Sequence, residues 1–346
     1  MANALWFDTV FGRNLAAEIA DFAPPPFLVV TMSDLRPLLE QHLGDAGDAM
    51  RVVHVDSMEE KNLLATLARH SDFCSVVGFG GGRALDAAKY FSWRAGKPLF
   101  QLPTALSVDA AFGHRAAVRR ARQVRYVGWA VPECVYLDYD IIRAAPPLLN
   151  HSGIGDILCF YTAVLDWRLA HINGACEPQW PYDEALANRS LEHAENVLQN
   201  RTAFRDLTDT GIRLMADAHR WGGGCYHAAG WNPRPVEGVE HLFFYALESL
   251  TGKTFVHGQP VCLGVVAGAL MHDDSRTGEL LDAICEIGVD IRPCAMGITW
   301  DDARRALLGL HQFVRDNKLH HGIAHEKKLD DGFVDELRAL VAQKYR

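Results

Sequence analysis

The sequence predicts an α/β domain built on a parallel sheet, followed by an all-helical domain. Three observations carry this reading. Short β-branched runs alternate with helical patterns up to residue 147. Strand signals nearly vanish after Pro146-Pro147. A strand, a glycine turn and a helix start are written together from Ser75 to Lys89. Alternating strands and helices form a parallel sheet covered by helices, whereas a run of amphipathic patterns builds a helical bundle.

In chain order, 27–32, 51–55, 73–78, 98–102 and 134–137 read as strands, and 35–43, 57–70 and 84–95 as helices. Residues 115–130 alternate in polarity, which predicts an antiparallel hairpin added to the sheet. Its arginines form the densest basic run, read as a solvated face in preference to a nucleic-acid contact. Beyond the two prolines, helical apolar spacing covers 148–170, 181–200, 202–221, 239–249, 261–273, 277–287, 299–315 and 331–345. The expected domains are 1–147, α/β, Rossmann-like and nucleotide-binding, and 148–346, all-helical.

Composition bounds the function. At 346 residues the chain is long enough for two cores, and its 49% apolar content is globular. A net charge of −9 argues against a general nucleic-acid binder. The eight cysteines form no C-x-x-C pair and read as reduced thiols of a cytoplasmic protein. The N-terminus has no basic n-region with an apolar h-region, and no apolar run is read as reaching membrane-spanning length. No nucleic-acid or membrane partner is expected, and apolar helices and strand edges lead to the expectation of a homo-oligomer.

The glycine turn is the first chemical signal. Gly78, Gly80, Gly81 and Gly82 are four glycines in five positions, directly before an Ala-rich helix. Glycines there let backbone N–H groups approach a phosphate at a helix N-terminus. The spacing is not that of the dinucleotide fingerprint, because position 83 is Arg, and no Gly-Lys-Ser/Thr follows as in a P-loop.

Metal-type side chains are the second signal. Asp156 follows Ser-Gly-Ile-Gly and precedes an apolar helix, His241 lies in Glu240-His-Leu-Phe-Phe-Tyr, and His257 precedes Gly-Gln-Pro. Each histidine taken singly reads as a structural one. Asp plus two His is nonetheless a set that zinc accepts with a fourth position open. The later histidines His311, His320, His321 and His325 lie in a charged stretch that reads as solvated surface.

These segments, in this order, resemble the superfamily of glycerol dehydrogenases, glycerol-1-phosphate dehydrogenases, iron-containing alcohol dehydrogenases and dehydroquinate synthases. The nearest resemblance is to the glycerol-1-phosphate dehydrogenases. Gly78-Phe-Gly80-Gly81-Gly82 with Asp86 and Lys89 resembles the family's pyrophosphate loop. Leu102-Pro103-Thr104-Ala-Leu-Ser107-Val108-Asp109 resembles its nicotinamide-side segment. Gly153-Ile-Gly-Asp156 with Asp166-Trp167, Gly238-Val-Glu-His241 and His257-Gly-Gln resemble the three segments that supply metal ligands. The resemblance implies a dehydroquinate synthase-like fold, a divalent metal held by Asp156, His241 and His257, and NAD(P)(H) as cofactor.

It also implies hydride transfer between nicotinamide and a small ketone or aldehyde, with dihydroxyacetone phosphate and sn-glycerol 1-phosphate as the family's pair. Asp109 is the candidate to orient the substrate hydroxyl or relay its proton. Three departures matter. Phe160 stands where iron-dependent relatives carry a further histidine, which favours zinc. No basic residue lies within a turn of Asp156, which argues against the sugar-phosphate cyclase or carbon–oxygen lyase alternative. Val108 replaces a histidine, which leaves a related small polyol open as substrate; His114, Arg115 and Arg143 are candidate phosphate holders. No acid stands at Met32, while Ser33 and Arg36 are close by, so NADP(H) is expected to serve at least as well as NAD(H).

Overall fold

The computed structural model describes residues 7–43, 49–120, 123–228 and 230–345, with the side chains of 123 and 225–228 excepted. Residues 1–6, where no leader was expected, and Arg122 lie outside them. The chain divides into two compact units, Met1–Pro147 and Leu148–Arg346.

The first unit runs β1 (Asp8–Gly12), α1 (Ile19–Phe22), β2 (Phe27–Thr31), α2 (Arg36–Leu43), β3 (Met50–His54), α3 (Glu60–Leu67), β4 (Ser75–Gly80), α4 (Gly82–Ala95), β5 (Leu99–Pro103), β6 (Ala116–Arg120), β7 (Gln123–Val127), β8 (Cys134–Asp138) and α5 (Tyr139–Ala144). Six strands form one sheet in the order β1-β8-β5-β4-β2-β3, and every pairing is parallel. A parallel sheet covered on both faces needs strands apolar on both sides, and β2, β4 and β5 are buried at every residue. Alternate residues serve opposite faces. Leu28, Val30 and Val76 join the core that holds Ala87, Ala88 and Phe91 of α4. Phe27, Val29, Val77 and Phe79 join the core of Ile19, Leu39 and Ile141.

Three expectations need correction here. β1 went unread because it is an edge strand with no fully buried residue, so its apolar signal is weak. The 115–130 hairpin does form, as β6 and β7, but it is a separate two-stranded sheet and not an addition to the parallel one. Ala116, Val118 and Val127 pack with Tyr90 and Phe91, so the hairpin covers α4. Finally, β4 runs two residues beyond its expected end. Gly78 and Gly80 are strand residues, and the turn itself is short.

The second unit is helical: α6 (Pro147–Ser152), α7 (Gly155–Ile172), α8 (Glu184–Gln199), α9 (Arg201–Arg205), α10 (Asp209–Ala228), α11 (Val239–Thr251), α12 (Gly258–Met271), α13 (Thr277–Ile287), α14 (Trp300–Asp316), α15 (Ile323–Glu326) and α16 (Asp331–Lys344). Two expected helices are broken in two. The 148–170 pattern divides at residues 153–154, and the 202–221 pattern divides where Leu207 takes φ 46°. Apolar periodicity continues through both breaks, so it does not report them. The stretch Pro147–Ile172 is, against expectation, long and apolar enough to cross a membrane; 72% of its most apolar window is buried in the protein.

Candidate active site

In the first unit, the candidate cofactor residues gather at the carboxyl ends of β4, β5 and β2. β4 ends at Gly80, whose φ of 153° is a conformation L side chains rarely adopt. A Cβ at Gly80 would stand 2.7 Å from Ala84 Cβ and 3.1 Å from Leu35 Cδ1. Gly81 is the N-cap of α4 and brings no side-chain cap. Nothing lies within 4 Å of where its Cβ would be. The 14-residue helix therefore starts beside a residue with no side chain and with room around it, which suits a pyrophosphate.

The neighbouring segments close around this turn. Gly80 pairs with Pro103, and Thr104 N–H donates to Gly80 O at 3.0 Å. Thr104 is buried and Ser107 half-buried. Val108 Cγ2 lies 3.0 Å from where a Gly82 Cβ would be. Asp109 is half-buried at the head of a short 3-10 turn, Asp109–Ala111. These positions fit a dinucleotide lying across the turn.

Asp86 and Lys89 have other partners. They form an ion pair at 2.7 Å with Lys89 almost fully buried. Burial pushes the Asp86 carboxyl up, against the Lys89 charge and a hydrogen bond from the Ala117 backbone. Lys89 Nζ also lies 3.7 Å from where a Gly113 Cβ would be. The pair, with the Ala117 backbone, ties α4 to the hairpin. His114 is fully buried, and burial with the nearby Lys89 charge pulls it down to about 4. A buried neutral ring is poorly placed to hold a substrate phosphate.

Around β2 the surroundings differ from the expected neutral and cationic ones. Ser33 Oγ donates to Asp56 Oδ1 at 2.8 Å. Arg36 is paired with Glu40 at 2.7 Å, with both side chains exposed. An acid does stand here, supplied from beyond β3 and not from position 32.

In the second unit, Asp156, His241 and His257 converge. Asp156 opens α7, His241 lies in the first turns of α11, and His257 is the N-cap of α12. Close glycine contacts bring these helices together. A Cβ on Gly155 would stand 2.7 Å from Gly258 Cα, and one on Gly258 would overlap the Ser152 carbonyl oxygen. His257 Nε2 lies 3.0 Å from Asp156 Oδ1, His241 Nε2 lies 3.8 Å from it, and the two Nε2 atoms are 3.3 Å apart. Tetrahedral ligands about 2.05 Å from a zinc ion stand ~3.3 Å from one another. Asp156 Oδ1 is buried, and none of these neighbours meets it with hydrogen-bond geometry. The three residues fit a divalent metal.

The local electrostatics agree with an ion-binding site. Burial raises the Asp156 carboxyl, but His257, His241 and His219 outweigh it and leave it lowered. Burial lowers His241, and the carboxylates Glu240, Glu237 and Asp156 overcome that and lift it to about 9. Phe160 is buried against His193, with ring centroids 6.4 Å apart. Sequence reasoning passed over two groups. His219 is fully buried on α10 with Nε2 3.0 Å from Gly153 O. Glu240 is fully buried with Oε1 3.0 Å from His241 Nδ1. The second was signalled by a carboxylate directly before a candidate ligand.

Comparison with known proteins follows the same lines. Residues 31–146 match the iron-containing alcohol dehydrogenase family. The glycerol-1-phosphate dehydrogenase [NAD(P)+] of Methanosarcina mazei is 30% identical over 320 residues, covering 89% of this chain and 88% of that one. That of Sulfurisphaera tokodaii is 30% identical over 291 residues, covering 83% and 81%. Among solved structures, glycerol dehydrogenase from Schizosaccharomyces pombe superposes with a TM-score of 0.70 at 16% identity, over 98% of this chain and 91% of that one. That last likeness is one of fold.

Proposed function

The chain belongs to the iron-containing alcohol dehydrogenase family, among the glycerol-1-phosphate dehydrogenases, and we propose that it is a metal-dependent NAD(P)(H) oxidoreductase of small ketones and their alcohols. The substrate pair we assign is dihydroxyacetone phosphate and sn-glycerol 1-phosphate. The single observation that carries the reading is the convergence of Asp156, His241 and His257 at tetrahedral-ligand spacing.

When bound, the metal supplies Lewis acidity to a substrate oxygen, and the nicotinamide supplies or accepts the hydride. The chain's residues do the rest. Asp156, His241 and His257 hold the ion, and one carboxylate with two neutral imidazoles leaves a net positive centre. The backbone N–H groups at Gly81, Gly82 and the residues after them bind the pyrophosphate. Pro103, Thr104 and Ser107 line the nicotinamide side of the cofactor. Asp109 orients the substrate hydroxyl or passes its proton. Seven cysteines among the described residues are free thiols, which supports a reducing, cytoplasmic setting.

The experiment is a panel of small carbonyls with NADH and NADPH, with zinc added, comparing the wild type with His257→Ala. Dihydroxyacetone phosphate is expected to turn over in the wild type and to lose at least ~100-fold in the variant. Equal rates in both proteins overturn the metal reading. Turnover of non-phosphorylated carbonyls only overturns the substrate.

A further inference from the structure

α7 carries one candidate ligand and also the fixing points of a second. Glu240 is fully buried in the first turn of α11, beside His241. A buried carboxylate is costly unless donors surround it. Glu240 has three. Gly238 N–H donates to Oε1 at 2.6 Å, and His241 Nδ1 stands 3.0 Å from the same oxygen. Thr162 Oγ1 donates to Oε2 at 2.5 Å. Thr162 Oγ1 also lies 3.2 Å from Cys159 O. A hydroxyl has one hydrogen, and the shorter, charge-assisted contact takes it.

Backbone packing locks this arrangement. A Cβ on Gly264 of α12 would stand 2.7 Å from Glu240 Cα, so α12 presses on the Glu240 backbone. A Cβ on Gly238 would stand 2.6 Å from Ala163 Cα, so α7 presses on the residue that opens α11. Asp166, also on α7, accepts from Val239 N–H at 2.7 Å. The backbone that carries Glu240 is thus held between α7 and α12.

An imidazole binds metal through one nitrogen only when the proton resides on the other. With a carboxylate at Nδ1, the neutral His241 ring keeps its hydrogen there and presents the Nε2 lone pair. Nε2 is the atom that faces Asp156 and His257. We propose that Glu240 is the positioning residue that fixes the tautomer and orientation of His241 for metal binding, and that the Thr162 hydroxyl holds Glu240 in place for that task. This rests on the metal reading above. A carboxylate that only capped α11 would need the Gly238 contact but not the one to His241.

The test uses the full metal-free chain, titrated with zinc against a chromogenic chelator. The cobalt(II) absorption spectrum is a second readout. Glu240→Gln is expected to bind zinc ~10–100-fold more weakly and to change the cobalt bands. Thr162→Val is expected to move both in the same direction, and Thr162→Ser to restore them. Wild-type zinc affinity and cobalt bands in folded Glu240→Gln and Thr162→Val, with only the melting temperature lowered, reduce Glu240 to a cap and overturn the proposal. A wild-type chain that takes up no zinc overturns the metal reading, and this proposal with it. Loss of zinc in His257→Ala together with unchanged Glu240→Gln overturns the positioning role alone.

Discussion

Gly155 and Gly258 meet backbone to backbone, so closely that a Cβ on Gly155 would stand 2.7 Å from both the Cα and the carbonyl oxygen of Gly258. Their chain neighbours are Asp156 and His257, whose Oδ1 and Nε2 atoms lie 3.0 Å apart. The missing side chains set the distance between two candidate ligands.

Gly155→Ala should therefore separate the pair. The new methyl group meets the Gly258 backbone and cannot be absorbed by a rotamer change. Overpacking of this kind costs about 1–3 kcal/mol. Urea unfolding of the metal-free variant should show that loss, and zinc titration should show weaker binding. Wild-type values in both measurements would mean the contact is not what holds the ligands together.

Gly81→Asp should act oppositely on stability and on cofactor binding. The N-cap of α4 has no side-chain cap, and open space surrounds the position. An aspartate there caps the helix and adds up to about 1 kcal/mol. The same carboxylate stands where a pyrophosphate would bind and repels it. The melting temperature is expected to hold or rise, while the dissociation constant for NAD(P)H rises at least ~10-fold, about 1.4 kcal/mol. Unchanged cofactor affinity would remove the pyrophosphate from this turn.

Asp56→Asn should raise the ratio of kcat/KM with NADPH to that with NADH. Asp56 accepts from Ser33 Oγ, and the turn it touches packs on Gly80 through Leu35. A carboxylate beside a ribose favours a 2′-hydroxyl and opposes a 2′-phosphate. Removing its charge should shift the ratio ~10-fold, about 1.4 kcal/mol. A constant ratio would show that the ribose lies elsewhere.

Acid should weaken the second unit through Asp166. It accepts from Val239 N–H at 2.7 Å and Ile323 N–H at 2.8 Å, with His272 Nε2 at 2.9 Å. Burial pushes its carboxyl up, but His272, the Ile323 N–H and the Arg234 charge prevail and hold it below the ordinary value. A depressed carboxylate contributes stability that is present above the unfolded pKa, about 3.9, and lost as the pH falls through the folded one. Denaturant midpoints of the metal-free chain should fall below pH ~4 in the wild type. Asp166→Asn should start lower at neutral pH and fall less steeply; parallel curves for the two proteins would exclude this origin.

Much of this was legible in the residues, for identifiable reasons. β2, β4 and β5 are buried on both faces, so their apolar runs are continuous. The edge strand β1 buries no residue fully, so its pattern carries little signal. Asp86 and Lys89 sit three residues apart on one helix, a spacing equally compatible with a cofactor contact or an ion pair. Only the packed structure shows that the ion pair forms, beneath a hairpin that lies over α4.

The sequence by itself determined the sheet strands but one, the helical second half, and the residue types able to hold a metal and a pyrophosphate. Periodicity and turn chemistry are local, and they are written wherever a segment must bury one face. Tertiary structure decided which donors meet. Asp156, His241 and His257 come from separate helices, and their spacing depends on backbone contacts that glycines permit. It also decided that Glu240 faces His241, that Asp56 faces Ser33, and that the hairpin stands apart from the parallel sheet. Those facts depend on how closely distant segments pack, and no local pattern carries that distance.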